Sequence, residues 1–385
     1  MIPVNEPLIG KQEEAYVREC LHTGWISSSG RFIEQFEEKW ADYCGKKFGV
    51  AVSSGTAALQ VALGCIGLEP GDRVVLPTFT IISCALAVIY NGGIPVLADC
   101  DPHTWCLSPE GVKDAIDREV QAGNAHRLKA IMPVHIYGHP VDVDPILELA
   151  DTYSLTVLED AAEAHGAEYL AGRTGGSAAW KRCGGLSDLA VFSFYANKAI
   201  TTGEGGMVIT DNAMFAEKAR SLRNLCFRPE QRFLHTEAGH NFRMTNIQAA
   251  IGLGQLERIE TILEKKKAIG KAYGERLSDL RDLMLPIEEP WAKSIYWMFG
   301  IVLEEETGIN ASQMAQRLRD KGIDTRPFFL GMHEQPVFHK MGLFKNEKYP
   351  VSERLARQGL YLPSGLTLTE SQIDEVAEAV RNILT

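Results

Sequence analysis

The chain has 385 residues, 45% apolar and 23% charged, with 50 acidic against 39 basic side chains and a net charge of -11. That length suggests about two or three domains and room for a large buried pocket. The acidic balance disfavours a broad footprint on nucleic acid, and the composition is that of a globular rather than a disordered protein.

The N-terminal stretch MIPVNEPLIGKQEE lacks the basic start and apolar core of a signal peptide. No apolar run approaches membrane-spanning length, so a cytoplasmic protein without membrane partners is expected. Eight cysteines (Cys20, Cys44, Cys65, Cys84, Cys100, Cys106, Cys183, Cys226) form no CxxC and cluster with no histidines. They read as reduced thiols, and no metal site is expected.

The segment KQEEAYVRECLHTG has helical spacing and a glycine stop at Gly24. Ser27 to Gly30 then form a polar loop before a second amphipathic helix, where Ser28 serves either a helix cap or the lining of a polar pocket. Next, FGVAVSSGTAALQVALGCIGL reads as strand, tight turn and helix. A helix start at Gly55 and Thr56 offers free amides and a positive dipole end to a phosphate, although a well-capped core helix explains the same letters.

From Asp72 the runs RVVLP, IPVLADCD, AIMPVHIYG and LTVLED alternate with helical stretches. This predicts βαβ units and a mostly parallel sheet, hence an α/β domain. Ligands of such sheets sit beyond the strands' carboxyl ends, which points to Thr78, Phe79, Asp99, His135, Tyr137, Asp160 and Glu163. Asp160 either caps a following helix or, beside a pyridinium nitrogen, keeps it protonated. His165 is expected to be a packed helix residue rather than a catalyst.

The Gly- and Ser-rich segment from Gly172 to Gly185 is expected to be a loop or excursion. It precedes FSFYANKAITTGEGGMVITD, which sets Lys198 between an aromatic run and a glycine cluster. A desolvated amine there suits Schiff-base chemistry, while a lysine at a strand end is more often a surface cation. From Thr245 the pattern is strongly helical, and the Lys- and Glu-rich part should connect two domains. The expected division is 1–250, a large α/β domain, and 251–385, a smaller α+β domain closing with a helix from Glu370. Arg326 and His333 lie in a Pro- and aromatic-rich loop that either reaches the cleft or stays at the surface. GLGQLE at Gly252 fails as a dinucleotide fingerprint because Glu257 stands where a third glycine is needed.

Pyridoxal phosphate needs a helix N-terminus for its phosphate, an acid for its ring nitrogen and an amine for its aldehyde, and Gly55 with Thr56, Asp160 and Lys198 answer those needs in order. The stretches GWISSSGRFIEQFE, SSGTAAL, VHIYGHPVD, EDAAEAHGA, FSFYANKAITTGEGGMV and GHNFRMTNIQAAIGLGQLE resemble the DegT/DnrJ/EryC1/StrS family of pyridoxal-phosphate-dependent sugar aminotransferases. The resemblance implies the type I aminotransferase fold and a Schiff base on Lys198. It further implies ring-nitrogen pairing by Asp160 and phosphate contacts from Gly55, Thr56 and Ser193. Asn241 resembles the residue that reaches the cofactor of a neighbouring subunit, implying a homodimer with shared sites. Glu163, the ITTGEGG run and TRPFF before His333 most resemble members that aminate C4 of GDP-4-keto-6-deoxymannose with glutamate as donor. Substrate contacts are expected from Ser28, Arg243, Arg326 and His333, and cofactor contact from Glu163.

Two departures stand out. Many relatives place an aromatic two residues after the position of Phe79, where this chain has Ile81, and the Gly172–Gly185 segment is longer than usual. Three rival readings remain at this point. Related dehydratases carry histidine in place of Lys198; a non-catalytic sugar-nucleotide binder would share the scaffold; an NAD-dependent oxidoreductase lacks its fingerprint.

Overall fold

The computed structural model describes residues 1–384 except Thr174 and Pro229. The chain opens with α1 (Lys11–Thr23), which Gly24 ends in the left-handed conformation at φ 76°. After it comes α2 (Arg31–Tyr43), whose Phe32, Phe36 and Trp40 recur every four residues and are buried. Trp40 meets Phe192 and Phe194 edge-on, fixing this helix against the end of the central sheet.

Strands and helices then alternate: β1 (Phe48–Val52), α3 (Gly55–Ile66), β2 (Arg73–Pro77), α4 (Ser83–Tyr90), β3 (Ile94–Ala98), α5 (Pro109–Gln121), β4 (Leu128–Ile131), α6 (Val143–Tyr153) and β5 (Thr156–Asp160). A hairpin of β6 (Glu168–Ala171) and β7 (Ala179–Arg182) leads to β8 (Leu189–Ser193), β9 (Gly206–Thr210) and α7 (Ala213–Arg223). The seven-stranded sheet has the order β1-β9-β8-β5-β4-β2-β3, with β9 antiparallel to both neighbours and the others parallel to one another. The mostly parallel sheet is therefore as the sequence predicts. Its strands are buried almost throughout, as expected of a sheet covered on both faces.

Two expectations need correction. The Gly172–Gly185 segment is an excursion with a strand in it rather than a plain loop, because Ala179–Arg182 pairs in register with Glu168–Ala171 and β6 also pairs with β11 (Ala292–Lys293). Four residues are too short for the alternation of AWKR to register as a strand. In addition, no helix follows Asp160; AAEAHGA is a series of turns before β6, so Asp160 caps its own turn through Ala162 N at 3.0 Å.

Helix α8 (Asn246–Leu256) starts at Thr245 with a capping box in which Gln248 answers the Thr245 side chain. Helix α9 (Ile259–Leu277) then passes from one core to another. Ile259, Ile262 and Leu263 join the large core, and Ile269, Tyr273 and Leu277 the smaller. The division expected at 250/251 falls within α8, and we propose α9 as the connector between the two domains. Beyond it lie β10 (Leu283–Met284), β12 (Phe299–Leu303), α10 (Ala311–Asp320), β13 (Arg326–Pro327), α11 (Pro336–Lys340), α12 (Pro350–Gln358), β14 (Gly359–Leu362) and α13 (Glu370–Leu384). Strands β10, β12, β14 and β13 form a second, antiparallel sheet in that order. Among the described residues no helix is long and apolar enough to cross a membrane.

Candidate active site

Because β1, β5 and β8 run parallel, their carboxyl ends share one edge of the sheet. The residues just beyond them meet there around a cavity of about 370 Å³. Gly55, Thr56, Asp160, Glu163, Ser193 and Lys198 all line it, so six of the residues singled out in the sequence are brought together.

At one wall stands the first turn of α3. Ser54 caps it by accepting from Ala57 N at 3.1 Å, while the amides of Gly55 and Thr56 have no acceptor within the helix. A Cβ on Gly55 would come within 2.7 Å of the Ser193 Cβ, so glycine is what lets the helix start approach the end of β8. The Ser193 carbonyl is held in turn by the buried His165, whose Nε2 donates at 2.8 Å. Burial, together with the Lys198 charge, pushes the His165 pKa down to about 3, so this imidazole is a neutral support.

Asp160 ends β5 with 2% of its surface exposed. It accepts from Ala162 N and, at 3.3 Å, from the Cys84 thiol. Burial raises its pKa, opposed by those hydrogen bonds and by the charge of Lys198. Glu163 is buried as well, and desolvation raises its pKa against the nearby lysine. It accepts from Tyr137 N at 3.0 Å, and its Oε1 lies 3.4 Å from Lys198 Nζ. Tyr137 provides that amide from a left-handed backbone at φ 53°, an uncommon conformation for a non-glycine residue. Lys198 Nζ also lies 3.9 Å from the centroid of the Trp297 ring. The indole N–H donates to Asn197 O at 2.7 Å.

The other predicted residues lie elsewhere. Of the strand-end candidates, Thr78, Phe79, His135 and Tyr137 are buried outside the lining. Asp99 accepts from the amides of Val351 and Ser352 at the start of α12. His333 is buried between Thr78 Oγ1 at 2.9 Å and Glu353 Oε1 at 3.2 Å. Arg326 is exposed and pairs with Asp324 at 2.7 Å, though its strand partner Tyr361 lines the cavity. Ser28 and Arg243 line a separate surface hollow with Arg220 and Arg223. Asn241 is exposed and pairs its backbone with Asn224. Ile81, standing where many relatives have an aromatic, does line the cavity and is 44% exposed.

Sequence reasoning missed Trp297, Phe329 and Tyr361, which the second sheet and its flanking loops bring to the cavity. The aromatic run IYWMF was visible, but nothing in its spacing tied it to Lys198. It also missed a buried group of His135, Glu159 and Cys183 with ligand-like proximity. There His135 Nδ1 accepts from Val141 N, so Nε2 carries the proton toward Glu159 at 2.9 Å, and Glu159 further accepts from the amides of Gly184 and Leu186. These hydrogen bonds account for the group as a structural network.

The cavity fits pyridoxal phosphate by the chemistry of its donors. Open helix amides with Ser193 suit a phosphate, a buried carboxylate suits a protonated ring nitrogen, and Lys198 offers an amine for the aldehyde. When bound, that cofactor supplies an electron-accepting ring through which an amino group can be exchanged. Fold and site together define a pyridoxal-phosphate-dependent sugar aminotransferase. The model of the DegT/DnrJ/EryC1/StrS aminotransferase family matches residues 7–381, and the chain belongs to that family. The chain is 41% identical over 384 residues to a GDP-perosamine synthase of Caulobacter vibrioides, covering 100% of this chain and 98% of that protein. It is 36% identical to a GDP-perosamine synthase of Escherichia coli O157:H7, covering 98% and 97%. Among solved structures, S. venezuelae DesV superposes with a TM-score of 0.86 at 33% identity, covering 97% of this chain and 94% of that one.

Proposed function

We propose that the enzyme moves an amino group from glutamate to the C4 ketone of GDP-4-keto-6-deoxymannose, giving GDP-perosamine, in the cytoplasm. The observation that carries this reading is likeness over the full chain to GDP-perosamine synthases. In each half of the reaction the Lys198 amine carries a proton to or from the carbon that gains or loses nitrogen, with Glu163 within reach to share it. With the cofactor bound, Asp160 would hold the charge of the ring nitrogen in a site too buried for water to do so. Donor and acceptor use one cavity in turn, which makes the kinetics ping-pong.

The test is a panel of GDP-, UDP- and dTDP-linked 4-keto sugars incubated with ¹⁵N-glutamate and read by mass spectrometry. The GDP sugar is expected to gain the label. Labelling confined to UDP or dTDP sugars contradicts the choice of nucleotide and keeps the aminotransferase; no labelling of any sugar contradicts both.

We further propose a homodimer with shared sites. Among the described residues lining the cavity, Lys198 is the one cation beside Asp160, Glu163 and Glu204, whereas phosphate, glutamate and a nucleoside diphosphate are all anions. The hollow holding Arg220 and Arg243, with Asn241 nearby, would be the supply of positive charge that a second copy brings, Arg223 beside them being paired with Glu37. Mixing inactive Lys198→Ala and Arg243→Ala chains should restore activity through hybrid sites. Two inactive chains that stay inactive after verified subunit exchange would contradict sharing.

A further inference from the structure

Lys266 is buried in α9 with 1% of its surface exposed and, among the described residues, no carboxylate paired with it, an arrangement rarely seen for lysine. Its ammonium donates to two backbone carbonyls, Trp297 O at 2.8 Å and Ser364 O at 2.6 Å. Desolvation alone brings its pKa down to about 7, so the chain retains a polar group here at a cost that a methionine would avoid. What the lysine grips is informative. Trp297 has its indole face 3.9 Å from Lys198 Nζ and its indole N–H on the carbonyl of Asn197, the residue next to Lys198. Ser364 accepts from Phe299 N through its Oγ, so both ends of Lys266's grip bear on the segment that carries Trp297.

We propose that Lys266 is a positioning residue for amino transfer: by fixing the Trp297 backbone it sets the indole face that receives the Lys198 amine. A cationic amine is attracted to that face, which gives the proton-carrying group a defined resting place between steps. Lys266 itself touches neither substrate nor cofactor. The inference rests on the reading of Lys198 as the reacting amine, and Lys198→Ala tests that reading separately.

The experiment compares wild type, Lys266→Met, Trp297→Leu and the double variant. It measures kcat and KM for glutamate, and the rate at which Lys198 is acylated in the cofactor-free protein by a small reagent, located by mass spectrometry. Lys266→Met is expected to lower kcat by about tenfold, as small misplacements of reacting groups do, with KM nearly unchanged. It should also change the Lys198 acylation rate. In the Trp297→Leu background the same substitution should have little further effect on either quantity. Equal effects of Lys266→Met with and without Trp297, or an unchanged Lys198 acylation rate, would overturn the proposal and leave Lys266 a stability element. Should the methionine variant not fold, Lys266→Gln, which keeps an N–H donor of shorter reach, carries the same comparison with the same outcomes.

Discussion

Lys198→Ala is expected to abolish amino transfer, lowering turnover by about 10⁴-fold or more. The amine has two duties that alanine cannot share. In the proposed reaction it would be the nucleophile at the cofactor's aldehyde and, between exchanges, the base placed to move a proton at the reacting carbon. Of the neighbours, Glu163 accepts a hydrogen bond from a backbone amide, His165 is kept neutral by burial, and Trp297 offers only a ring face. None replaces a nucleophile. Steady-state assays with glutamate and a nucleotide keto sugar check this, beside thermal melts showing that the variant folds. Turnover within tenfold of wild type would remove Lys198 from the centre of the site.

Asp160→Asn is the second large effect, an expected loss of about 100-fold or more in kcat, since a preorganised charge at a reacting group is worth that much. The same substitution should leave the cofactor-free protein at least as stable near pH 7. The sign follows from linkage. The folded pKa of Asp160 is raised by burial, so the unfolded chain sheds this proton first as pH climbs. Stability is then lost between the unfolded and the folded pKa, and the loss persists above both. A neutral asparagine escapes that loss, whereas wild type recovers it when a cationic ring nitrogen binds. Pyridoxal phosphate should therefore raise the melting temperature of wild type more than that of the variant. Equal shifts in both proteins would contradict the pairing of Asp160 with the ring.

These two residues were legible in the sequence because each hangs on a strand end of one sheet. The run LTVLE before Asp160 and the aromatic, strand-like LAVFSF before Lys198 read as strands, and their shared direction puts the ends on one edge. Gly55 was legible for the same reason, with a helix cap as an added signal. Trp297 and Tyr361 were not, because they reach the cavity from the C-terminal region by pairing that is remote in sequence, as when β14 joins β12 and β13. Nor does spacing tell where a polar side chain ends up. His333 looked available to a ligand and instead staples the end of β2 to α12 through Thr78 and Glu353. The Gly172–Gly185 segment hid a strand because glycines dominate its composition while four residues of pairing define its shape.

The most direct test of the account is to load the protein with pyridoxal phosphate, reduce it with borohydride, digest it and locate the modified peptide by mass spectrometry. The account predicts one pyridoxyl group per chain, on Lys198. A protein that takes up no borohydride-stable label, or carries it on another lysine such as Lys266, contradicts it.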